Sequence, residues 1–341
     1  MDLLILGGTQ WLGRSLATEA VARGHRVVCL ARGESGEVAP GVELVRADRS
    51  SDNASAAVAG RDWDAAIDVT RQPGYARAAA AALADAVGHL TFISSGNVYA
   101  SQNEPGADER AALLPPLEAD ESTPETYGEA KSAIERAYGE VFGERFLTIR
   151  PGLIAGPGDA SGRSGYWVAR AARAARDGGP VLVPDVLADA VQAIHVDDLV
   201  RFTLDQAERG AAGGVAAGAF GTGAYNAVGD RGTFGEVLEA ATAVAGYRGE
   251  LVAASPGWLA DQGVAEWSGP ESLPLWIRDP EWRAFQDRSN AAAKAAGLVL
   301  RPIGQLLEET LAWERDQGLD RARGAGLSAG RERELLAALR S

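Results

Sequence analysis

Tyr127 and Lys131 stand four residues apart in the run Tyr127-Gly128-Glu129-Ala130-Lys131, inside a stretch that reads as a helix over residues 124–142. Positions i and i+4 share one helix face, so a phenol and an ammonium point into the same space. A cation within a few ångströms favours the phenolate and lowers a phenol pKa from its ordinary value near 10. A drop of roughly three units takes about 4 kcal/mol of differential interaction. Such a pair is a general acid/base for neutral pH, worth on the order of 10² to 10⁴ in rate. The same spacing also occurs on solvated helix faces, so the elements that must position it decide between the two readings.

The chain ahead of this pair opens with an apolar run, residues 2–6, that ends in Gly7-Gly8-Thr9-Gln10-Trp11-Leu12-Gly13. A helical pattern over 14–23 and a second apolar run over 25–31 follow. Strand, glycine turn, helix and strand in this order form a βαβ unit whose first turn can receive a pyrophosphate at the helix N-terminus. Gly7 serves the tight turn and Gly13 the close helix-to-strand packing, while Gln10 holds the place of the usual middle glycine and must tilt away or hydrogen-bond. The plainer reading is a merely tight strand-to-helix turn. At the end of the second strand an acid selects NAD and an arginine accommodates the 2′-phosphate of NADP. Ala31 and Arg32 stand there with no acid, which leans toward NADP; Arg32 as a solvated loop residue is the alternative.

Further strands are expected at 42–46, 65–69 and 89–94, with a small-residue helix over 74–87. This alternation predicts an α/β fold with a Rossmann-type doubly wound parallel sheet, whose ligands bind at the carboxyl ends of the strands. Gly7, Asp48, Thr70 and Ser95 all fall at such ends, and Asp48 suits an adenine edge. A sixth strand at 145–150 leads into Pro151-Gly152-Leu153-Ile154-Ala155-Gly156-Pro157-Gly158, and a helical segment over 166–176 interrupts the alternation. We assign 1–165 and 187–232 to the dinucleotide-binding core, 166–186 and 233–320 to a smaller C-terminal substrate lobe, and 321–341 to a helical tail on the surface. His195, before an aspartate-capped helix, reads as a packing residue, with a catalytic base as the alternative. Trp258, Trp267, Trp276 and Trp282 either wall an apolar substrate pocket or hold an irregular lobe together.

Composition removes several classes of function. The chain has 341 residues, 46% hydrophobic and 23% charged, with a formal net charge of -14. The acidity argues against nucleic acid and anionic membrane surfaces as partners. The single cysteine, Cys29, excludes an internal disulfide and reads as a small buried hydrophobe, and three histidines offer no zinc cluster, so no metal is expected. No signal-peptide pattern and no apolar stretch near 18 residues is seen, which points to a cytoplasmic protein.

Taken together, the glycine turn, Ser94-Ser95-Gly96-Asn97-Val98-Tyr99, Tyr127-Gly128-Glu129-Ala130-Lys131, Arg150-Pro151-Gly152 with Gly156-Pro157-Gly158, and His195-Val196-Asp197-Asp198 resemble the extended short-chain dehydrogenase/reductase superfamily, with its nucleotide-sugar epimerases and dehydratases. The likeness covers about residues 1–315 and is nearest to the Gly-Gly-Thr-x-x-x-Gly subgroup of bacterial reductases. It implies that Tyr127 is the catalytic acid/base, that Lys131 lowers its pKa and binds the nicotinamide ribose, and that Ser95 holds the substrate oxygen. It further implies cofactor contacts from Gly7, Thr9, Gln10, Trp11, Leu12, Gly13, Arg32, Asp48, Thr70, Ser94, Pro151, Gly152 and Leu153, and substrate contacts from Asn97, Tyr166 and Trp167. Leu153 replaces the asparagine that meets a nucleotide-sugar phosphate in the family, and Gly96-Asn97 replaces the Asp-Glu pair of its dehydratases. The resemblance therefore implies NAD(P)-dependent hydride transfer at an alcohol or ketone carbon of a small molecule, with nucleotide-sugar epimerisation as the alternative. A dinucleotide-sensing regulator or an RNA-binding protein is a further one. A monomer or a homodimer is expected.

Overall fold

The computed structural model describes residues 1–51, 53–213 and 223–340. Six strands arrive in chain order as β1 (Asp2–Leu6), β2 (Arg26–Ala31), β3 (Glu43–Arg46), β4 (Trp63–Asp68), β5 (Val87–Ile93) and β6 (Phe146–Pro151). With Ala224–Ala227 they form one sheet in the order Ala224–Ala227, β6, β5, β4, β1, β2, β3, all parallel. The direction of strand succession reverses between β1 and β4, and a crevice opens there at the carboxyl ends, where doubly wound sheets bind ligands.

The strands read as near-continuous apolar runs because both faces are covered. On one face lie α1 (Trp11–Ala22) and α6 (Val196–Ala211), whose Leu16, Ala17, Leu199 and Phe202 share a core with Leu3, Ile5 and Ile149. On the other lie α2 (Ala56–Ala59), α3 (Pro73–Leu83) and α4 (Tyr127–Phe142), which bury Ala76, Ala80, Ile134 and Tyr138 against Leu4, Ala66 and Phe92. The alanines of α3 let it pack closely on α4, as their small side chains suggested.

A third core belongs to the lobe, built by α5 (Tyr166–Asp177), α7 (Phe234–Ala245) and the helices Ile303–Gln317 and Ala329–Leu339. The last of these does not lie on the surface as a tail: Leu335 and Leu336 enter the lobe core, and buried Glu332 binds Arg170 at 2.5 Å and the Leu182 amide at 3.0 Å. Element ends moved where local chemistry overrode the pattern. The helix expected from residue 124 starts at Tyr127, and the one expected to 87 ends at Leu83.

Candidate active site

β5 delivers Ser94 and Ser95 to the carboxyl edge of the sheet, and the chain then makes one 3-10 turn, Gly96–Val98. Ser95 caps that turn: its Oγ accepts from the Asn97 amide at 3.2 Å and donates to Asn97 Oδ1 at 2.9 Å. Tyr127 opens α4 and lines the same cavity as Ser95. Gly128 makes the close approach of α4 to the turn possible. A Cβ there would stand 2.5 Å from the Asn97 carbonyl oxygen and 2.6 Å from Leu114 Cδ1, closer than real Cβ atoms come.

One turn further, Lys131 is buried and its Nζ donates to the carbonyls of Thr70 and Ile93, both at 2.7 Å. It ties together the segments that leave β4 and β5. Below it, fully buried Asp68 accepts two hydrogen bonds from Arg49, each 2.8 Å, one from Tyr138 at 2.5 Å, and one from the Thr70 amide at 2.8 Å. Asp68 therefore fixes the residue whose carbonyl holds the lysine.

The charge balance differs from the simple pair expected at Tyr127 and Lys131. Burial pushes the Lys131 amine down to about 7, opposed by the charges of Asp68 and Glu135. Burial pushes the Tyr127 phenol up, opposed by the Ser95 hydrogen bond and the charges of Arg71 and Arg163. The ammonium lies 5.9 Å from the Tyr127 ring centre and is turned to two carbonyls, so it is not what lowers the phenol in this arrangement.

Ser94, Ser95, Tyr127 and Lys131 line a cavity of about 620 Å³, with Pro151, Gly152 and Leu153 on one side. Aromatic side chains also line it: Trp267 and Phe285 meet edge-on at 5.4 Å, and Trp282 packs on Phe285 at 5.6 Å. The tryptophan-rich segment divides between the cavity and the lobe core. Trp267 and Trp282 wall the cavity, while Trp276 is buried and Trp258 packs on the lobe core.

A second chamber of about 200 Å³ meets the first at Val69 and is lined by the glycine turn, Arg32, Asp48 and Thr70. Its walls fit a dinucleotide. Gly7 and Gly8 have φ of 122° and 114°, conformations that side chains disfavour, and a Cβ on Gly13 would sit 2.6 Å from the Gly8 nitrogen. No side chain caps α1, which leaves its first amides for a phosphate. Gln10 tilts away, toward Ser35 Oγ at 3.4 Å. Ser94 Oγ is a buried donor with no partner among the described residues, on a residue that lines the cavity. Thr9 lines the glycine-turn chamber; Trp11 and Leu12 reach the larger cavity, and Trp11 Nε1 donates to the Pro157 carbonyl at 2.8 Å. Arg32 is exposed and lies 3.4 Å from Glu34, while Asp48 accepts from the Ser50 amide at 2.9 Å.

Two expected substrate residues are elsewhere. Tyr166 and Trp167 are each 2% exposed and sit in the lobe core, where Trp167 donates to the Pro274 carbonyl at 2.8 Å and meets Phe234 edge-on at 5.2 Å. α5 turns its aromatic face inward because that lobe needs a core of its own. Asn97, the third, does line the cavity. Arg71, Arg163 and Phe285 also line it and were not anticipated. Arg71 directly follows Thr70 at a strand end and was findable on that ground; Arg163 and Phe285 come from irregular segments with no signal. His195 is buried against Glu309 at 3.2 Å and the backbone amide of Asp197 at 3.0 Å, outside the cavity lining, as a packing residue would be.

A parallel sheet with a glycine turn at its crevice and a serine, a tyrosine and a lysine at the neighbouring strand ends defines a dinucleotide-binding α/β protein of the short-chain dehydrogenase/reductase type. Residues 3–217 match the model of the NAD dependent epimerase/dehydratase family, and the chain belongs to that family. Among solved structures, UDP-glucose 4-epimerase of Thermotoga maritima with UDP-glucose superposes with a TM-score of 0.66 at 16% identity, over 93% of this chain and 99% of that one. The Thermus thermophilus UDP-glucose 4-epimerase complex with NAD gives 0.58 at 19%, over 92% and 99%. UDP-N-acetylglucosamine 4-epimerase of Methanobrevibacter ruminantium, in complex with UDP-N-acetylmuramic acid, gives 0.64 at 15%, over 93% and 98%. At such identities the likeness is one of fold. No curated protein matches the sequence.

Proposed function

We propose that this chain is a nicotinamide-dinucleotide-dependent oxidoreductase acting on an alcohol or ketone carbon, with Tyr127 as general acid/base. The observation that carries the reading is that Ser95, Tyr127 and Lys131 line one aromatic-walled cavity, which adjoins the glycine-turn chamber. The bound dinucleotide would supply or accept hydride. Ser95 orients the substrate oxygen, and Tyr127 Oη gives that oxygen its proton or takes it away. Lys131 holds the ends of β4 and β5 in place through the Thr70 and Ile93 carbonyls, while Arg71 and Arg163 supply the positive field that favours the phenolate. Gly7, Gly13 and the uncapped α1 would seat the pyrophosphate, Asp48 the adenine end, and Pro151 and Gly152 the nicotinamide. Arg32, with no acid at the end of β2, supports NADP over NAD.

Nucleotide-sugar epimerisation is the second reading, supported by the fold neighbours, which are epimerases of such sugars. It uses the same proton transfer but returns the hydrogen to the substrate. Leu153 supports the first reading, since the asparagine that meets a nucleotide-sugar phosphate in the resembling enzymes is missing, and the Gly96-Asn97 pair argues only against dehydration.

One experiment tests both. Wild type and Tyr127→Phe are titrated with NADPH and NADH by calorimetry and assayed against a panel of ketones and UDP-sugars. Both proteins should bind NADPH more tightly than NADH, and only wild type should consume it in proportion to ketone. Sugar inversion with no net change in the cofactor would favour the epimerase. Near-normal turnover by Tyr127→Phe would remove the mechanism.

A further inference from the structure

Arg71 and Arg163 both line the cavity, and among the described residues neither has a carboxylate within ion-pair distance. The contrast with Arg49 and Arg150 is direct, because those guanidiniums hold Asp68 at 2.8 Å and Glu135 at 2.7 Å. The charges of Arg71 and Arg163 both act on the Tyr127 phenol, so they stand near the reacting end of the cavity.

Arg163 is oriented by its own loop. Buried Asp159 accepts from the Ser161 amide at 2.9 Å and hydroxyl at 2.5 Å, and from the Ser164 amide at 3.1 Å and hydroxyl at 2.7 Å. Ser161 Oγ in turn accepts from Arg163 Nε at 3.2 Å. The guanidinium lies 5.3 Å from the centre of the Trp267 ring, which Phe285 meets edge-on. Trp267 has a φ of 65°, a left-handed conformation that bulky residues rarely adopt, and its amide is tied to the Leu273 and Trp276 carbonyls at 3.2 and 3.1 Å. A guanidinium stacked on an aromatic ring keeps its edge donors for an anion. Here Nη1 and Nη2 have no hydrogen-bond partner among the described residues.

The acids of the lining are engaged by the chain. Asp159 is filled by Ser161 and Ser164, Glu266 accepts from the Arg278 and Asp279 amides, and Asp279 accepts from the Glu281 amide at 2.9 Å. Their charges, set against Arg71, Arg163 and Lys131, leave the lining near neutral. That balance suits one negative charge at the Arg163 edge and opposes a dianion or a pyrophosphate. Much of the remaining wall is apolar, with Leu12, Val69, Ile93, Leu153 and Ile277. A sugar brings a hydroxyl at nearly every carbon and needs a polar partner for each, whereas an aryl or alkyl body needs none.

Resting on the oxidoreductase reading of the same cavity, we propose that Arg163, stacked on Trp267, anchors a carboxylate of the substrate while Arg71 adds a second positive charge. The substrates are then compact aryl or alkyl ketones and alcohols that bear one carboxylate. The carboxylate is an anchor and takes no part in bond making.

Binding is measured with oxidised dinucleotide saturating, so that no ketone can be reduced. The meta and para isomers of acetylbenzoate are titrated by calorimetry against the matching acetylbenzamides, with UDP and the phosphate ester of para-hydroxyacetophenone alongside. Wild type should bind at least one acid about tenfold more tightly than its amide, the worth of a hydrogen bond to a charged group. Arg163→Gln should bring the acid down to its amide, and Arg163→Lys, which keeps the charge but not the stacked fork, should recover part of the margin. Arg71 is exposed, so Arg71→Gln should melt at the wild-type temperature and still lose acid affinity, which carries the test if Arg163→Gln does not fold. Equal binding of acids and amides, binding of UDP or the phosphate ester but of neither acid, no binding of either acid, or a full acid margin in the folded glutamine variants would each overturn the proposal. Acids that bind in this arginine-dependent way, yet are not reduced by wild type with NADPH or NADH, would sink the oxidoreductase reading alone.

Discussion

Lys131 carries its proton differently in the folded and unfolded chain. Unfolded, the amine holds it up to its ordinary 10.5; folded, burial brings the value down to about 7. Between those two values the unfolded state binds more protons, so stability from this group rises with pH from 7 toward 10.5 and is lost as pH falls back through that window. The full effect is a few kcal/mol. Denaturant midpoints of wild type should therefore climb between about pH 7 and about pH 9.5, and Lys131→Met should flatten the climb while lowering stability overall, since the Thr70 and Ile93 carbonyls lose their donor. At this scale Ser95, Tyr127 and Lys131 were legible because their types and spacing repeat a known motif. Asp68 and Arg163 were not. Their meaning comes from partners far away in sequence, such as Tyr138 for Asp68 and Trp267 for Arg163, and no local pattern announces a guanidinium left without a carboxylate.

α4 and the turn after β5 work as one unit, and Gly128 is the contact between them. The helix carries Tyr127, the turn carries Ser95, and the clearance between Gly128 and the Asn97 carbonyl sets how near the two hydroxyls come. Gly128→Ala should push the helix outward by roughly 1 Å and cost on the order of 10²-fold in kcat, since misplacement of that size is enough to disturb a reacting geometry. Dinucleotide affinity should change little, because the glycine turn belongs to α1. Rate and affinity measured on the same preparation check the separation; equal losses in both would show a general unfolding. The sheet itself was readable from its apolar runs and glycine ends. Helix ends were less so, since residues 122–126 hydrogen-bond as a turn, with the Thr123 amide on Thr126 Oγ1 at 2.9 Å, in place of a first helical turn.

The whole molecule divides its burial among three cores, two against the sheet and one in the lobe. The lobe is the part the sequence described least. Its irregular segments carry no period, and the pairing of Glu332 with Arg170 joins positions 162 apart in the chain. Glu332→Ala would leave the Arg170 guanidinium and the Leu182 amide without their acceptor, at a cost of about 3–5 kcal/mol for a broken buried pair. Urea unfolding should show that loss, and a change under about 1 kcal/mol would mean that the C-terminal helix is held by Leu335 and Leu336 alone. Tyr166 and Trp167 teach the same lesson, because aromatic residues next to a cleft in sequence were claimed by a core that sequence alone did not show.

Three of the eight tryptophans, Trp11, Trp267 and Trp282, border the cavity, and the first of them stands at the glycine turn while the other two come from the tryptophan-rich segment near the C-terminal lobe. The cleft thus contains its own light sources at both ends. A reduced nicotinamide seated between them would absorb their emission, and a ligand that displaced water from Trp282 would shift its colour, so occupancy of either half can be followed optically in the unlabelled protein.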